Sequence, residues 1–287
     1  MPNPASPIAW HFNHSLTDRR VIARSVAERR QLARCIIRIG ADFGLLAFRC
    51  SGTHLHYLLA CDEKGLPRFF QRVDESLRRG LVLPVGFTRA YGKPVNDQGY
   101  LKTAFGYVVG NTDKHEVAYD PLHEASMLPD LLGLRLLGGY APRLVRELLP
   151  HVTRRLLLGY FGLSVLEPDA VLHDLAEAAA AALGLPNLDG SGAEAIRARR
   201  ALVHLAGQRL PTEDLVALTG VASRTLRRLR QSDPEPDLVR AIGLQVALRR
   251  LHAERLASAP DPLLAGDGIQ SYRPEKSPVV DEGDPAS

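Results

Sequence analysis

Cysteine is scarce: the chain has only 3, Cys35, Cys50 and Cys61, and no two are spaced as Cys-x-x-Cys. That pattern offers no disulfide framework and predicts reduced, mostly buried thiols in a cytoplasmic protein. Long apolar runs are missing as well. None approaches the roughly 20 residues that cross a bilayer, so no membrane partner is expected. The N-terminus lacks a positive segment followed by an apolar core, so no signal peptide is expected either. Beyond Ala257 hydrophobic residues become sparser, and Pro, Ser, Gly, Asp and Glu dominate. Residues 258–287 should therefore be a disordered tail.

What remains is ordinary for a soluble globular protein. Of 287 residues, 45% are hydrophobic and 24% charged, with room for two domains of about 100–200 residues each. The net charge is +4, and Arg far outnumbers Lys. A basic balance suits a polyanionic partner without proving one.

Periodicity gives the first half of the chain an α+β pattern. Ile8–Leu16 reads as a strand and Val21–Gly44 as a long helix capped by Gly44. Leu45–Cys50 and His54–Ala60 read as strands around a Ser51-Gly52 turn. Leu66–Gly80 is a second helix, and Gly86–Lys93 a fourth strand in which Arg89, Tyr91 and Lys93 alternate. The order β-α-β-β-α-β is that of a ferredoxin-like antiparallel sheet with helices on one face.

The stretch Cys50–Cys61 carries a pair of histidines, His54 and His56. Side chains two apart on a strand share a face, so the two imidazoles should stand together with Leu55 turned away. Such a pair can hold a divalent metal if a third ligand comes from elsewhere, and is otherwise simply the polar face of a strand. Downstream, Gly99–His115 has helical spacing. Tyr107 and Asn111 are four apart and share a face, with Lys114 almost in line.

His-hydrophobe-His on a strand, then a helix, then a tyrosine-bearing helix resembles the HUH single-strand DNA nucleases with one tyrosine. It is most similar to the IS200-like and REP-associated tyrosine transposases, over about Ile8–Ala125. The opening strand, Trp10-His11-Phe12-Asn13-His14, and the segment Tyr107-Val108-Val109-Gly110-Asn111-Thr112 match that family's first strand and tyrosine motif. Thr53 stands where an Asn is common before the first histidine, Thr112 replaces the usual Pro, and the Arg often seen after the first strand is not evident near Ser15. The resemblance implies Tyr107 as nucleophile and His54 and His56 as ligands of Mg²⁺ or Mn²⁺. It implies Asn111 as third ligand, with His115 and His11 as alternatives. The expected substrate is single-stranded or hairpin DNA, cut and rejoined through a 5′-phosphotyrosine. Arg89, Lys93 and Lys114 are the expected backbone contacts near the tyrosine. Arg68, Arg72, Arg78 and Arg79 on the second helix are further candidates.

The second half reads as helical. Residues 126–185 are Leu-rich, broken by Gly and Pro, and form a helical connector; residues 193–256 are a second domain. Its centre, Thr212–Arg230, has the pattern of a helix-turn-helix. Leu215 and Val216 pack the first helix, Gly220 makes the turn, Val221 plugs the corner, Ser223 can cap the second helix, and Leu226 and Leu229 anchor it. Arg224, Thr225, Arg227 and Arg228 would then face outward for duplex DNA. A homodimer is compatible with this layout.

Two other functions fit the same residues. One is a catalytically silent, domesticated DNA-binding regulator with the transposase fold. The other is an RNA-binding sheet, for which the only aromatic stacking candidates are Phe48 and Tyr57.

Overall fold

A computed structural model of the protein describes residues 6–110, 123–160, 163–169, 174–207 and 209–258. It is an α+β structure. Four strands, β1 (Ala9–Ser15), β2 (Leu45–Ser51), β3 (His54–Leu59) and β4 (Tyr91–Val95), form one antiparallel sheet in the order β2-β3-β1-β4. The helices α1 (Val26–Gly40), α2 (Leu66–Gly80) and α3 (Gln98–Gly110) complete the first half. The tail expected to be disordered lies outside the described residues, as do Asn111, Lys114 and His115.

The register fixes two unlike faces. Asn13 lies opposite His56, and His56 opposite Arg49, so His11, Asn13, Arg49, His54 and His56 share one side. Phe12, His14, Phe48, Leu55 and Tyr57 share the other. That second side is the core. Tyr57 packs against Phe69 and Phe70 of α2 with ring centroids 5.5 and 5.8 Å apart, and Phe12 meets Phe70 at 4.7 Å. Phe48 and Tyr57 are fully buried there. Neither can stack a base, so the two rings named for the RNA-binding reading do not serve it. Helix α2 also carries Arg68, Arg72, Arg78 and Arg79 to this side of the sheet. Arg72 is spent on Asp42, at 2.8 Å, and on the ring of Phe43.

Several boundaries differ from the sequence reading. Helix α1 starts at Val26 rather than Val21, because Ser25 and Glu28 form a reciprocal capping box that satisfies exposed N–H groups of the first turn. The fourth strand is Tyr91–Val95 rather than Gly86–Lys93. Only an isolated bridge, Leu16 to Phe87, precedes it, so Arg89 sits in an irregular exposed segment. Pro94 is tolerated because β4 is an edge strand and needs no outward N–H. Gly92 is required by close approach, since a Cβ there would fall 2.0 Å from the Phe12 ring. The opposite edge is covered: Cys50 and Met127 exchange backbone hydrogen bonds with Ala125 and Phe48, at 2.8 and 3.0 Å, which blunts the exposed edge of β2.

The second half is helical: α4 (Leu128–Leu131), α5 (Ala141–Leu148), α6 (Arg154–Gly159), α7 (Leu175–Ala182), α8 (Ala193–Ala206), α9 (Thr212–Thr219), α10 (Ser223–Gln231) and α11 (Pro236–Ser258). Between α4 and Leu166, Leu128, Leu132, Leu134, Leu149, Leu157 and Leu158 are buried against the sheet core. Helices α7 to α10 form a second core with Leu238, Ala241, Ile242 and Val246 of α11. Helix α11 belongs to both, since Leu244, Ala247 and Leu248 join the first. No described helix is long and apolar enough to cross a membrane. The three cysteines carry free thiols, and burial pushes Cys50 up to about 12 and Cys61 up to about 11, which makes them poor nucleophiles.

A buried arginine ties the two cores together. Arg30 of α1 is 0% exposed. It is paired with both carboxylate oxygens of Glu124, is bonded to Glu177 of α7, and donates to the Leu185 carbonyl at 2.9 Å. Arg249 of α11 approaches Glu124 at 3.4 Å. One turn along α1, Arg34 donates to the Leu183 carbonyl at 2.7 Å and pairs with Glu194.

Under the sheet lies a second polar group, His14 with Asp74. His14 Nε2 donates to the Thr88 carbonyl at 2.8 Å, which leaves Nδ1 as a lone pair facing Asp74 Oδ1 at 3.7 Å. Two acceptors facing each other call for a proton between them. Burial holds Asp74 up, to about 7, and His14 down, to about 4. The native carboxyl therefore keeps its proton at pH values where the unfolded one, near 3.8, has lost it, so its contribution to stability falls as pH rises to about 7. The neutral native His14 acts oppositely between about 4 and 6.5. Asp74→Asn supplies an N–H without proton uptake. Its gain over wild type should grow from pH 4 to pH 7 and reach about 1–2 kcal/mol at pH 8, measured by urea unfolding across that range.

Candidate active site

Helix α3 crosses the other side of the sheet, on which His54 and His56 stand. Its buried stripe, Leu101, Ala104, Phe105, Val108 and Val109, lies against β2, β3 and β4. Tyr107 is placed beside that stripe, half-buried, over the histidines. Its ring meets His56 edge-on at 5.2 Å and His11 at 5.6 Å. His56 and His54 are 4.8 Å apart, and His11 and His56 5.9 Å. Four side chains from three elements thus converge: His11 from β1, His54 and His56 from β3, and Tyr107 from α3.

The histidines do not stand as the strand spacing alone suggests. Their rings are close but nearly perpendicular, at 81°, and His54 Nδ1 lies 3.3 Å from the Thr53 hydroxyl. His56 is 3% exposed, whereas His54 is at the rim. Burial, then the charge of Lys93, holds His11 below the ordinary imidazole range. Its Nε2 is buried with no hydrogen-bond partner among the described residues.

Two residues missed in the sequence complete the surroundings. Arg49 lies directly across from His56, is 5% exposed, and donates to the Val109 carbonyl at 3.3 Å. It therefore ties β2 to the helix that carries Tyr107. An arginine within the apolar run of β2 was the available signal. Tyr160, just past α6, backs the same helix: a Cβ on Gly110 would fall 2.6 Å from its ring, so only glycine permits the two to pack.

The donor set fits a divalent metal in part. His54 and His56 offer two imidazoles and His11 a third nearby. Yet among the described residues no group of three His, Cys, Asp or Glu side chains is arranged to hold an ion. A hard ion such as Mg²⁺ also prefers oxygen, and the oxygen ligand expected from the sequence, Asn111, lies outside the described residues. The four strands contain no Asp or Glu at all.

Of the expected DNA contacts, Lys93 is exposed on the sheet face of the histidines, opposite His11. Arg89 is exposed just before β4. In the second half, α9 and α10 are joined by Gly220, Val221 and Ala222. Leu215, Leu226 and Leu229 are buried, and Arg224, Arg227 and Arg228 are exposed, with Thr225 half-covered. One detail is corrected. Ser223 is the first residue of α10 rather than its cap; the cap position is Ala222, with no side-chain hydrogen bond.

No family model matches the chain, and no curated protein matches it. A solved structure described as a REP-associated tyrosine transposase bound to a REP hairpin is 16% identical, with a TM-score of 0.35, over 41% of this chain and 74% of that one. A likeness so slight carries no argument about what this chain does.

Proposed function

We propose that the protein is an HUH-type tyrosine transposase or nuclease acting on single-stranded or hairpin DNA, built on a ferredoxin-like sheet. The observation that supports this reading is the convergence of Tyr107 with His11, His54 and His56 on one face of the sheet. A phenol has an ordinary pKa near 10, so a nucleophilic tyrosine needs neighbours that favour its ionised form. In this reading the Tyr107 oxygen attacks phosphorus, a phosphotyrosine bond forms at the 5′ side, and the bond to the 3′ oxygen breaks. His11, edge-on to the phenol, takes the phenolic proton, and the departing 3′ oxygen takes up a proton from water to become a hydroxyl. His54 and His56, with Asn111, would hold Mg²⁺ or Mn²⁺. When bound, such an ion polarises the scissile phosphate and shares its growing charge. Lys93, Arg89 and Lys114 would contact the strand's backbone.

The pair of histidines is the part to remove first. His54→Ala with His56→Ala should abolish Mn²⁺-dependent cleavage of a labelled single strand while the far-ultraviolet circular dichroism stays unchanged. Cleavage that survives the double substitution would contradict the metal assignment.

A second reading is a silent DNA-binding regulator with the same fold. It is favoured by Thr53 and Thr112, which stand where the resembled family commonly has Asn and Pro. Both readings use α10 to read duplex DNA, with Arg224, Thr225, Arg227 and Arg228 outward. Arg224→Ala and Arg227→Ala should each weaken duplex binding by about 1–3 kcal/mol if they contact base edges, and binding should fall steeply with salt. A fluorescence anisotropy titration at two salt concentrations checks this. Unchanged, salt-insensitive binding would leave α9 and α10 as a plain helical hairpin.

A further inference from the structure

Tyr91 is the exposed aromatic that the proposed chemistry leaves unused. It is 68% exposed at the start of the edge strand β4. The register sets Tyr91 opposite Asn13, and Asn13 opposite His56. The three therefore form one row across neighbouring strands, on the same side of the sheet. Two strand spacings, roughly 10 Å, separate Tyr91 from His56 along that row. Next on the same side of β4 is Lys93, exposed and close enough to His11 for its charge to depress that imidazole. Gly92 between them turns to the opposite side, against Phe12. The tyrosine is thus presented outward by a strand fixed from behind.

At 68% exposure the ring is open to a partner from solution. A strand face free of carboxylates, with Lys93 beside the ring, is electrostatically suited to a polyanion. Aromatic platforms beside basic side chains are the general means of holding single strands, because every base has a π-face.

Resting on the single-strand DNA reading above, we infer that Tyr91 stacks a base of the strand whose phosphate faces Tyr107. Lys93 holds the intervening backbone. Stacking at this position fixes how the strand enters the site. It would give a sheet whose Phe12, Phe48 and Tyr57 are buried one exposed ring for unpaired bases.

The test is binding of an oligothymidylate carrying 2-aminopurine at successive positions, read by anisotropy and by quenching of the probe. Wild type and Tyr91→Phe should bind alike and quench the probe at one position. Tyr91→Ala and Tyr91→Leu should lose that quenching and bind about tenfold more weakly. The side chain is exposed, so none of these changes should disturb folding, which thermal unfolding verifies. Wild-type binding with unaltered affinity and quenching in the Ala variant overturns stacking and leaves the nuclease reading standing. Full retention by the Leu variant also overturns it, since an apolar contact would then suffice. Failure of wild type to bind any single strand overturns stacking together with the DNA reading on which it rests.

Discussion

Arg30→Met should destabilise the protein by about 3–5 kcal/mol. The guanidinium is fully buried and bonded to Glu124, Glu177 and the Leu185 carbonyl. Methionine fills similar space but leaves those carboxylates facing each other, with Arg249 as their remaining cation. The cost comes from uncompensated buried charge rather than lost packing. Arg30→Met combined with Glu124→Gln should therefore recover a substantial part of it. Urea unfolding of the two variants at neutral pH decides this. Because the network joins α1 to α7 and α11, the single variant should also unfold less cooperatively, with the helical half released first. A loss below 1 kcal/mol would mean that the network contributes little.

Tyr107→Phe should lose the covalent protein–DNA product completely while keeping hairpin binding. The ring stays, so its edge-on contacts with His11 and His56 and the packing of α3 are retained. Only the oxygen is removed. Tyr100 lies near the start of α3, and Tyr91 is on the edge strand. A loss of at least 10³-fold is expected, by analogy with the removal of other catalytic nucleophiles (about 10⁶-fold in a serine protease). The adduct is read on a denaturing gel with labelled single strand and Mn²⁺. Equal loss of binding and of adduct would instead point to misfolding.

Much of this arrangement was legible because it follows two simple periods. Alternation put His54 and His56 on one side of β3, and helical spacing put Tyr107 beside the buried stripe of α3. The two short helices α9 and α10 were legible because their turn and anchor residues are adjacent in sequence. Long-range contacts were not. Arginine is ordinarily a surface residue, so nothing local marked Arg30 as buried, and only the apolar run around it marked Arg49; their partners lie 94 and 60 residues away. The basic residues of α2 seemed well placed for DNA, but the register puts α2 behind the sheet, away from Tyr107. The capping box at Ser25 is written in the sequence as Ser-x-x-Glu, but the apolar pattern that runs on from Val21 masks it. Tyr91 was read as one of an alternating trio. Its exposure depends on β4 being an edge, which only the strand order reveals.

The most direct measurement is the site of DNA attachment in the wild-type protein. Incubation with a hairpin-flanked single strand and Mn²⁺, protease digestion and mass spectrometry should find a nucleotide remnant on the peptide containing Tyr107. A protein that binds the hairpin but yields no adduct with Mg²⁺, Mn²⁺ or other divalent ions, or yields one on Tyr91 or Tyr100, would contradict the assignment of Tyr107 as the nucleophile.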